Sequence, residues 1–282
     1  MPTTRSATRA AAVIAVSALG LTACGAVKDD AEGPAADDGG VTTITVGASP
    51  TPHAKILEFV DKELAPDAKL DLEIKTFDDY VQPNVQLSEG TLDANYYQHL
   101  PYYEAQVKDR GYEFAHFEGI HIEPFALYSD KVEDVKDLED GAQIGINNDP
   151  SNQGRALQLL ADNDVITLKD GKDATNATIL DVADNPKNLT FKETDAAQLA
   201  RSLQDLDAAV INGNYAIEAD LSVDDALLVE EGKDSPYANF LAVSKSNEDN
   251  ASLKKLDELL HSPEVKKYIE QTWPEGEVLP AF

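Results

Sequence analysis

The stretch Asn147-Asn148-Asp149-Pro150-Ser151-Asn152-Gln153-Gly154-Arg155 joins a short apolar run, residues 142–146, to a helix-like segment, residues 155–162. Leu157, Leu159, Leu160 and Ala161 give that segment an apolar face. The order reads as buried strand, turn and helix, the place where open α/β sheets hold small ligands. Ser151 and Asn152 are residues of N-cap type, and Arg155 falls in or near the first helical turn. Free backbone N–H groups, the positive end of the helix dipole and one guanidinium would converge there on a carboxylate. Read locally, the same residues also describe a capped helix carrying a solvated arginine.

Other chemistry is sparse. Tyr96-Tyr97-Gln98-His99-Leu100-Pro101-Tyr102-Tyr103 is dense in aromatics, which serve a core as readily as a pocket. Asn212-Gly213-Asn214-Tyr215 directly follows the apolar run 208–211, and Asn212 is also an ordinary turn residue. The five histidines, His53, His99, His116, His121 and His261, are scattered, with no pair at ligand spacing on one helix. His121 and Glu123 are expected on opposite faces of an extended segment. No metal and no cofactor are expected. The chain has no G-x-S-x-G elbow and no phosphate loop, and its single cysteine, Cys24, lies in the leader region. No enzyme is expected.

The elements that position these residues follow from periodicity. Residues 42–48 alternate around Ile44 and Val46, and Ile56, Leu57, Val60 and Leu64 repeat at helical spacing over 52–64. Leu70, Leu72 and Ile74 give a second strand, and the β-α-β order favours a parallel pair. A helix interrupted or opened at Pro83 follows, then a helix from Pro101 to a stop at Gly111. Residues 112–117 are a strand candidate and 120–128 look extended. Strands are expected at 142–146, 189–193, 208–211 and 227–230, with helices at 156–160 and 196–203, an ambiguous stretch over 162–184 holding a short helix at 179–183, and 240–244 extended. Leu253, Leu256, Leu259 and Leu260 form a terminal amphipathic helix, followed by a second apolar segment over 265–273.

Residues 1–23 read as an export signal. Arg5 and Arg9 form its basic part, and 10–21 an apolar run too short to span a bilayer. Leu21-Thr22-Ala23-Cys24 resembles a bacterial lipobox, which implies cleavage before Cys24 and acylation of its sulfur and new amino group. Several acyl chains anchor a protein stably where one does not. Residues 24–40 hold acids, glycines and prolines with almost nothing apolar, and are expected to be a lipidated, disordered tether. The formal net charge is −29. Such a surface repels nucleic acid and anionic lipid.

Several segments, in one order, resemble the methionine-binding lipoprotein family of ABC importers. They are Val46-Gly47-Ala48 with Pro52-His53-Ala54, Phe77-Asp78-Asp79-Tyr80-Val81-Gln82-Pro83-Asn84, and Asp93-Ala94-Asn95-Tyr96-Tyr97-Gln98-His99-Leu100-Pro101-Tyr102. Further along come Asn148-Asp149-Pro150-Ser151-Asn152-Gln153-Gly154-Arg155, Asn185-Pro186-Lys187-Asn188-Leu189, Ala209-Val210-Ile211-Asn212 and Ser235-Pro236-Tyr237-Ala238-Asn239.

The resemblance implies an α/β, two-lobed periplasmic-binding-protein fold. Each lobe would be a mainly parallel sheet flanked by helices, with two crossover strands as hinge. Lobe 1 would comprise 41–124 plus 238–282, and lobe 2 would comprise 125–237. Arg155 would pair with the ligand α-carboxylate. Asn152, Asn212 and Asn239 would hold its amine and carboxylate. Tyr80, Tyr97, His99 and Tyr102 would line the side-chain pocket, although phenylalanine is the commoner family residue at Tyr97. Implied partners are methionine, an ABC permease with its ATPase, and a membrane through the lipid anchor. The protein would sit on the extracytoplasmic face as a monomer. A short methionine-containing peptide or another amino acid is the alternative ligand, a metal a weaker one.

Overall fold

The computed structural model describes residues 33–37, 39–232 and 235–282. The export signal, Cys24 and the first part of the tether lie outside the described residues. Specific contacts begin before Val41. The Asp37 carboxylate accepts from the N–H groups of Gly39 and Val41, Ala36 bridges to Thr42, and Asn250 Nδ2 donates to the Pro34 carbonyl at 3.2 Å. These contacts seat the last part of the expected tether on the folded body. Poverty in apolar residues does not prevent backbone hydrogen bonds from seating a segment on a finished surface.

The first half begins with β1 (Thr42–Ala48), which buries Ile44, Val46 and Ala48 on the side that meets α1 (Lys55–Glu63). β2 (Leu70–Thr76) returns parallel to β1. Next come α2 (Gln82–Ser88), with Pro83 in its first turn where a missing N–H costs nothing, and β3 (Ala94–His99), parallel to β1. α3 (Leu100–Arg110) starts on the end of β3 and stops at Gly111, whose φ of 70° suits a residue without a side chain. β4 (Phe114–Ile122) then leads out of this half.

The second half contains β5 (Ala126–Tyr128), β6 (Gln143–Asn147), α4 (Pro150–Asp162) and a small hairpin of β7 (Thr167–Leu168) and β8 (Val182–Asp184). It continues with β9 (Thr190–Thr194), α5 (Ala196–Ser202), β10 (Ala208–Ile211), α6 (Gly213–Glu218) and β11 (Leu228–Val229). The chain returns to the first half along β12 (Asn239–Ser244) and finishes with α7 (Ala251–Leu260), α8 (Pro263–Thr272) and β13 (Leu279–Pro280).

Two main sheets result, ordered β13-β4-β12-β3-β1-β2 and β11-β5-β10-β6-β9. Both are mixed, where mainly parallel sheets were expected. β1, β2 and β3 run parallel, as do β6, β9 and β10, but β12 is antiparallel to β3 and β4, β13 to β4, and β5 to β10 and β11. The reason is topological. β4 carries the chain out and β12 brings it back, so as neighbours they run in opposite senses. Each sheet has its own core. Ile44, Ile56, Leu57 and Val60 pack with Leu253, Leu256 and Ile269 in the first. Ile144, Ile146, Leu157 and Leu160 pack with Leu127 and Val210 in the second. Full burial of such a side chain stabilises by about 1.5–3 kcal/mol.

Candidate functional site

Strand ends from both sheets meet in one cleft. β3 ends in Gln98 and His99, β6 leads through Asn147 to α4 with Asn152 and Arg155, and β10 leads to Asn212, Gly213 and Asn214. The two chain crossings contribute Glu123 and Asn239. One cavity is lined by Tyr80, Tyr97, Gln98, His99, Tyr102, Glu123, Asn152, Arg155, Asn212, Gly213, Asn214 and Asn239. All eight ligand-binding positions named from sequence are in its wall.

The start of α4 differs from expectation. Asp149, not Ser151 or Asn152, is the N-cap: its Oδ1 accepts from the Asn152 N–H at 3.0 Å, and Pro150 takes the first helical position. Asp149 also accepts from the Ser151 hydroxyl and the Asn152 amide. The helix end thus already has its anion. Asn152 is thereby turned so that its Oδ1 accepts from Asn212 Nδ2 at 3.2 Å and from His99 Nε2 at 3.1 Å. His99 Nδ1 accepts from the Tyr102 N–H, so the proton sits on Nε2. Burial and the nearby Arg155 charge lower the His99 pKa to about 3, leaving a neutral ring.

Arg155 is neither solvated nor free. It is 4% exposed, its Nε donates to Glu230 Oε1 at 3.0 Å, and its Nη2 donates to Glu230 Oε2 and to the Glu123 carbonyl. The guanidinium lies over the Tyr237 ring, 3.9 Å from the centroid, and 4.8 Å from that of Phe125.

The aromatic side of the cavity is held by its own hydroxyls. Tyr97 and Tyr102 both donate to the Tyr80 carbonyl, at 2.9 and 3.0 Å, and Tyr80 donates across the cleft to Asn214 Oδ1 at 2.5 Å. Tyr215 spans the same gap to the Asp78 carbonyl at 3.1 Å. The extra hydroxyl at Tyr97 is therefore spent on the protein. Burial raises the pKa values of Tyr80 and Tyr97 well above the usual tyrosine value, so both remain neutral phenols. Behind them Asn84, Asn95 and Gln98 exchange side-chain hydrogen bonds that pin α2 to β3.

Beside this wall the fold assembles a group that the sequence order conceals. His121 Nε2 lies 2.8 Å and His53 Nε2 3.2 Å from the same oxygen, Oε1 of Glu123. Residues two apart on extended backbone share a face, which corrects the expectation for His121 and Glu123. The histidines are also less scattered than expected: ligand atoms of His53, His121 and Glu123 all lie within 4.8 Å of one another. Since each Nε2 faces a carboxylate oxygen, each carries a proton. His121 Nδ1 then accepts from the Tyr96 hydroxyl, and His53 Nε2 also reaches Asn239 Oδ1 at 3.2 Å. Glu123, Gln98, Gly213 and Asn214 are cavity residues that sequence reasoning missed.

Residues 44–282 match the family model described as NlpA lipoprotein. The methionine-binding lipoprotein MetQ of Bacillus subtilis is 40% identical over 247 residues, covering 86% of this chain and 89% of that protein. The D-methionine-binding lipoprotein MetQ of Escherichia coli K12 is 38% identical over 266 residues, 93% of this chain and 94% of that protein. Among solved structures, a nutrient-binding protein from Burkholderia cenocepacia bound to methionine superposes with a TM-score of 0.81 at 44% identity, covering 85% of this chain and all of that one. With such relatives the chain shares the two-lobed periplasmic-binding-protein fold.

Proposed function

The chain belongs to the NlpA lipoprotein family, and from that premise we propose that it binds methionine between its lobes and delivers it to an ABC permease and its ATPase. Its relatives are substrate-binding lipoproteins, not enzymes. The observation that carries the reading is the polarity of one cavity. A buried cation, Arg155, and a buried carboxylate, Glu123, line it together with the tyrosines Tyr80, Tyr97 and Tyr102. That pattern complements an amino-acid zwitterion with an apolar side chain.

The roles follow from the contacts. Glu230 takes the Nε and Nη2 edge of Arg155, so the ligand carboxylate meets the Nη1 end, with Asn152 and Asn212 beside it. Glu123 and Asn239 meet the ammonium group. Tyr80, Tyr97, Tyr102 and His99 offer ring surfaces to the thioether, and each sulfur–aromatic contact contributes about 0.3–1.5 kcal/mol. Acylation at Cys24 would hold the protein to the extracytoplasmic face of the membrane as a monomer. No helix among the described residues is long and apolar enough to cross a membrane. The lobes comprise 41–124 plus 238–282, and 125–237.

Calorimetry with methionine, leucine, glutamine, glutamate and a methionine dipeptide tests the ligand, and methionine should bind tightest. Tighter binding of glutamine or of a divalent metal would overturn the assignment. Retention of Cys24→Ser at the membrane would overturn the anchor.

A further inference from the structure

We propose that His53 and His121 are positioning residues that make a free α-ammonium group obligatory in the ligand, by fixing one oxygen of Glu123 and leaving the other to the amine. This rests on the reading of Glu123 as the ammonium site.

Two separate pieces of chain build the device. His53 comes from the turn Pro50–Ala54, and His121 and Glu123 from β4 and its continuation into the first crossing. Their exposures are 1%, 0% and 7%, so solvent does not supply these hydrogen bonds. The His121 Nε2–H donates to Oε1 at 2.8 Å, while the His53 Nε2–H donates to Asn239 Oδ1 and lies 3.2 Å from Oε1, so that its dipole supports the same oxygen. The other oxygen, Oε2, lies against Gly213, a cavity residue where a Cβ would sit 3.1 Å from Oε2 and 2.6 Å from Glu123 Cβ. The glycine is what lets the carboxylate reach the cleft.

The two rings supply N–H dipoles and no positive charge. Burial lowers His53 to about 4, with the Glu123 charge opposing, and His121 to about 3. Burial also raises the Glu123 pKa, opposed by His53, the Asn214 backbone N–H and Arg155. Glu218 at the end of α6 faces it as a like charge, and the Tyr80 and Tyr96 phenols are neutral. Arg155 is already paired with Glu230. The set Arg155, Glu230 and Glu123 therefore carries a net charge of −1 when Glu123 is ionised. Glu123 thus has no side-chain cation of its own in contact, and the ligand's ammonium supplies one while the ligand carboxylate turns to Arg155.

The test compares methionine, methionine methyl ester and N-acetylmethionine on the full chain after dialysis against EDTA. N-acetylmethionine should bind at least about a hundredfold more weakly than methionine, because it leaves the Glu123 charge unpaired. The ester, which keeps the ammonium, should lose less than the acetylated compound. If the wild type accepts N-acetylmethionine as well as methionine, the ammonium reading of Glu123 fails. His121→Phe should weaken methionine roughly tenfold to a hundredfold, narrow the gap to N-acetylmethionine and move the acid limb of binding to higher pH. His121→Gln, which keeps a donor towards Glu123, should restore most of both. His53→Gln should behave like His121→Gln, and thermal melting identifies any variant that fails to fold. A wild type that discriminates, together with folded His121→Phe and His53→Phe variants of unchanged selectivity and pH profile, would overturn the positioning role alone. Stoichiometric zinc binding that is lost in His121→Gln, with methionine affinity dependent on the zinc, would overturn it in favour of a metal site.

Discussion

Arg155 and Glu230, 75 residues apart, form a two-point ion pair that joins α4 to the segment after β11. Arg155→Ala therefore leaves a carboxylate that is only 18% exposed without its partner. The expected cost is about 2–3 kcal/mol of stability, at the low end for a broken ion pair because Glu230 keeps some solvent. Ligand affinity should be nearly abolished. Arg155→Ala combined with Glu230→Gln should regain most of the stability and none of the affinity. Calorimetry and thermal melting of both proteins check this, and recovery of binding in the double variant would refute Arg155 as a ligand contact.

Tyr80→Phe removes the hydroxyl that reaches Asn214 across the cleft and leaves the Asn214 oxygen unmatched. Methionine affinity should fall roughly fivefold to thirtyfold, the range of one lost hydrogen bond of about 1–2 kcal/mol. Tyr97→Phe removes a hydroxyl that serves only the Tyr80 carbonyl. Titration should show methionine still preferred and its affinity changed less than about fivefold. A switch of preference in Tyr97→Phe would place that hydroxyl on the ligand.

Two glycines should separate binding from folding. At Gly213 an added Cβ would press on Glu123 Cβ at 2.6 Å, whereas at Gly154 it would meet the Ala174 carbonyl oxygen at 2.3 Å. Gly213→Ala should lose affinity through the displaced carboxylate. Gly154→Ala should lose about 1–3 kcal/mol of stability, read as a lower melting temperature, through a backbone clash that nothing flexible relieves. The reverse assignment of effects would refute the placement of Glu123.

Stability should decline on both sides of about pH 6.5. His53, His99 and His121 are lowered by burial to about 4, 3 and 3. Unfolded, they titrate near 6.5, so below that pH the unfolded chain takes up protons that the folded chain refuses. Their stabilising effect is complete above 6.5 and erodes as pH falls towards 4. His261 acts oppositely. Burial alone would lower it, but bonds to Asp257 and to the Gly119 carbonyl raise it to about 9. Its ring nitrogens face the carbonyls of Asp257 and Gly119, so both are protonated, and the charge sits favourably at the C-terminus of α7. That contribution is complete below 6.5 and lost as pH rises through about 9. Melting curves of His261→Ala should lack the alkaline decline; its persistence would assign the decline elsewhere.

Legibility in the sequence tracks locality. α1 and α7 are readable because Ile56, Leu57 and Val60, and Leu253, Leu256 and Leu260, repeat at the helical period and are buried. β3 is hidden because all six of its residues are buried while Asn95, Gln98 and His99 are polar, so no alternation marks it. Asp149 does not stand out as the cap because Ser151 and Asn152 are equally of cap type; Pro150 at the first helical position is the signal that marks it. The eight cavity residues came from ordered motifs of a known family. Glu123 did not, since its meaning depends on His53, 70 positions earlier, and that proximity exists only after β1 and β4 share a sheet.

In an opening of the two lobes, the neighbouring crossings, β4 with its continuation through Glu123 and β12 with its approach through Tyr237, would act as a door's hinge pins. Points close to a rotation axis sweep short arcs and distant points sweep long ones. Glu123 and Asn239 lie on the crossings themselves, so their spacing changes little at any opening angle. Tyr80 to Asn214 and Tyr215 to Asp78 link opposite halves away from the pins and would part first. A ligand would consequently dock its ammonium group early, on a berth that persists in every posture. Its side chain would be judged last, when the tyrosine wall swings shut.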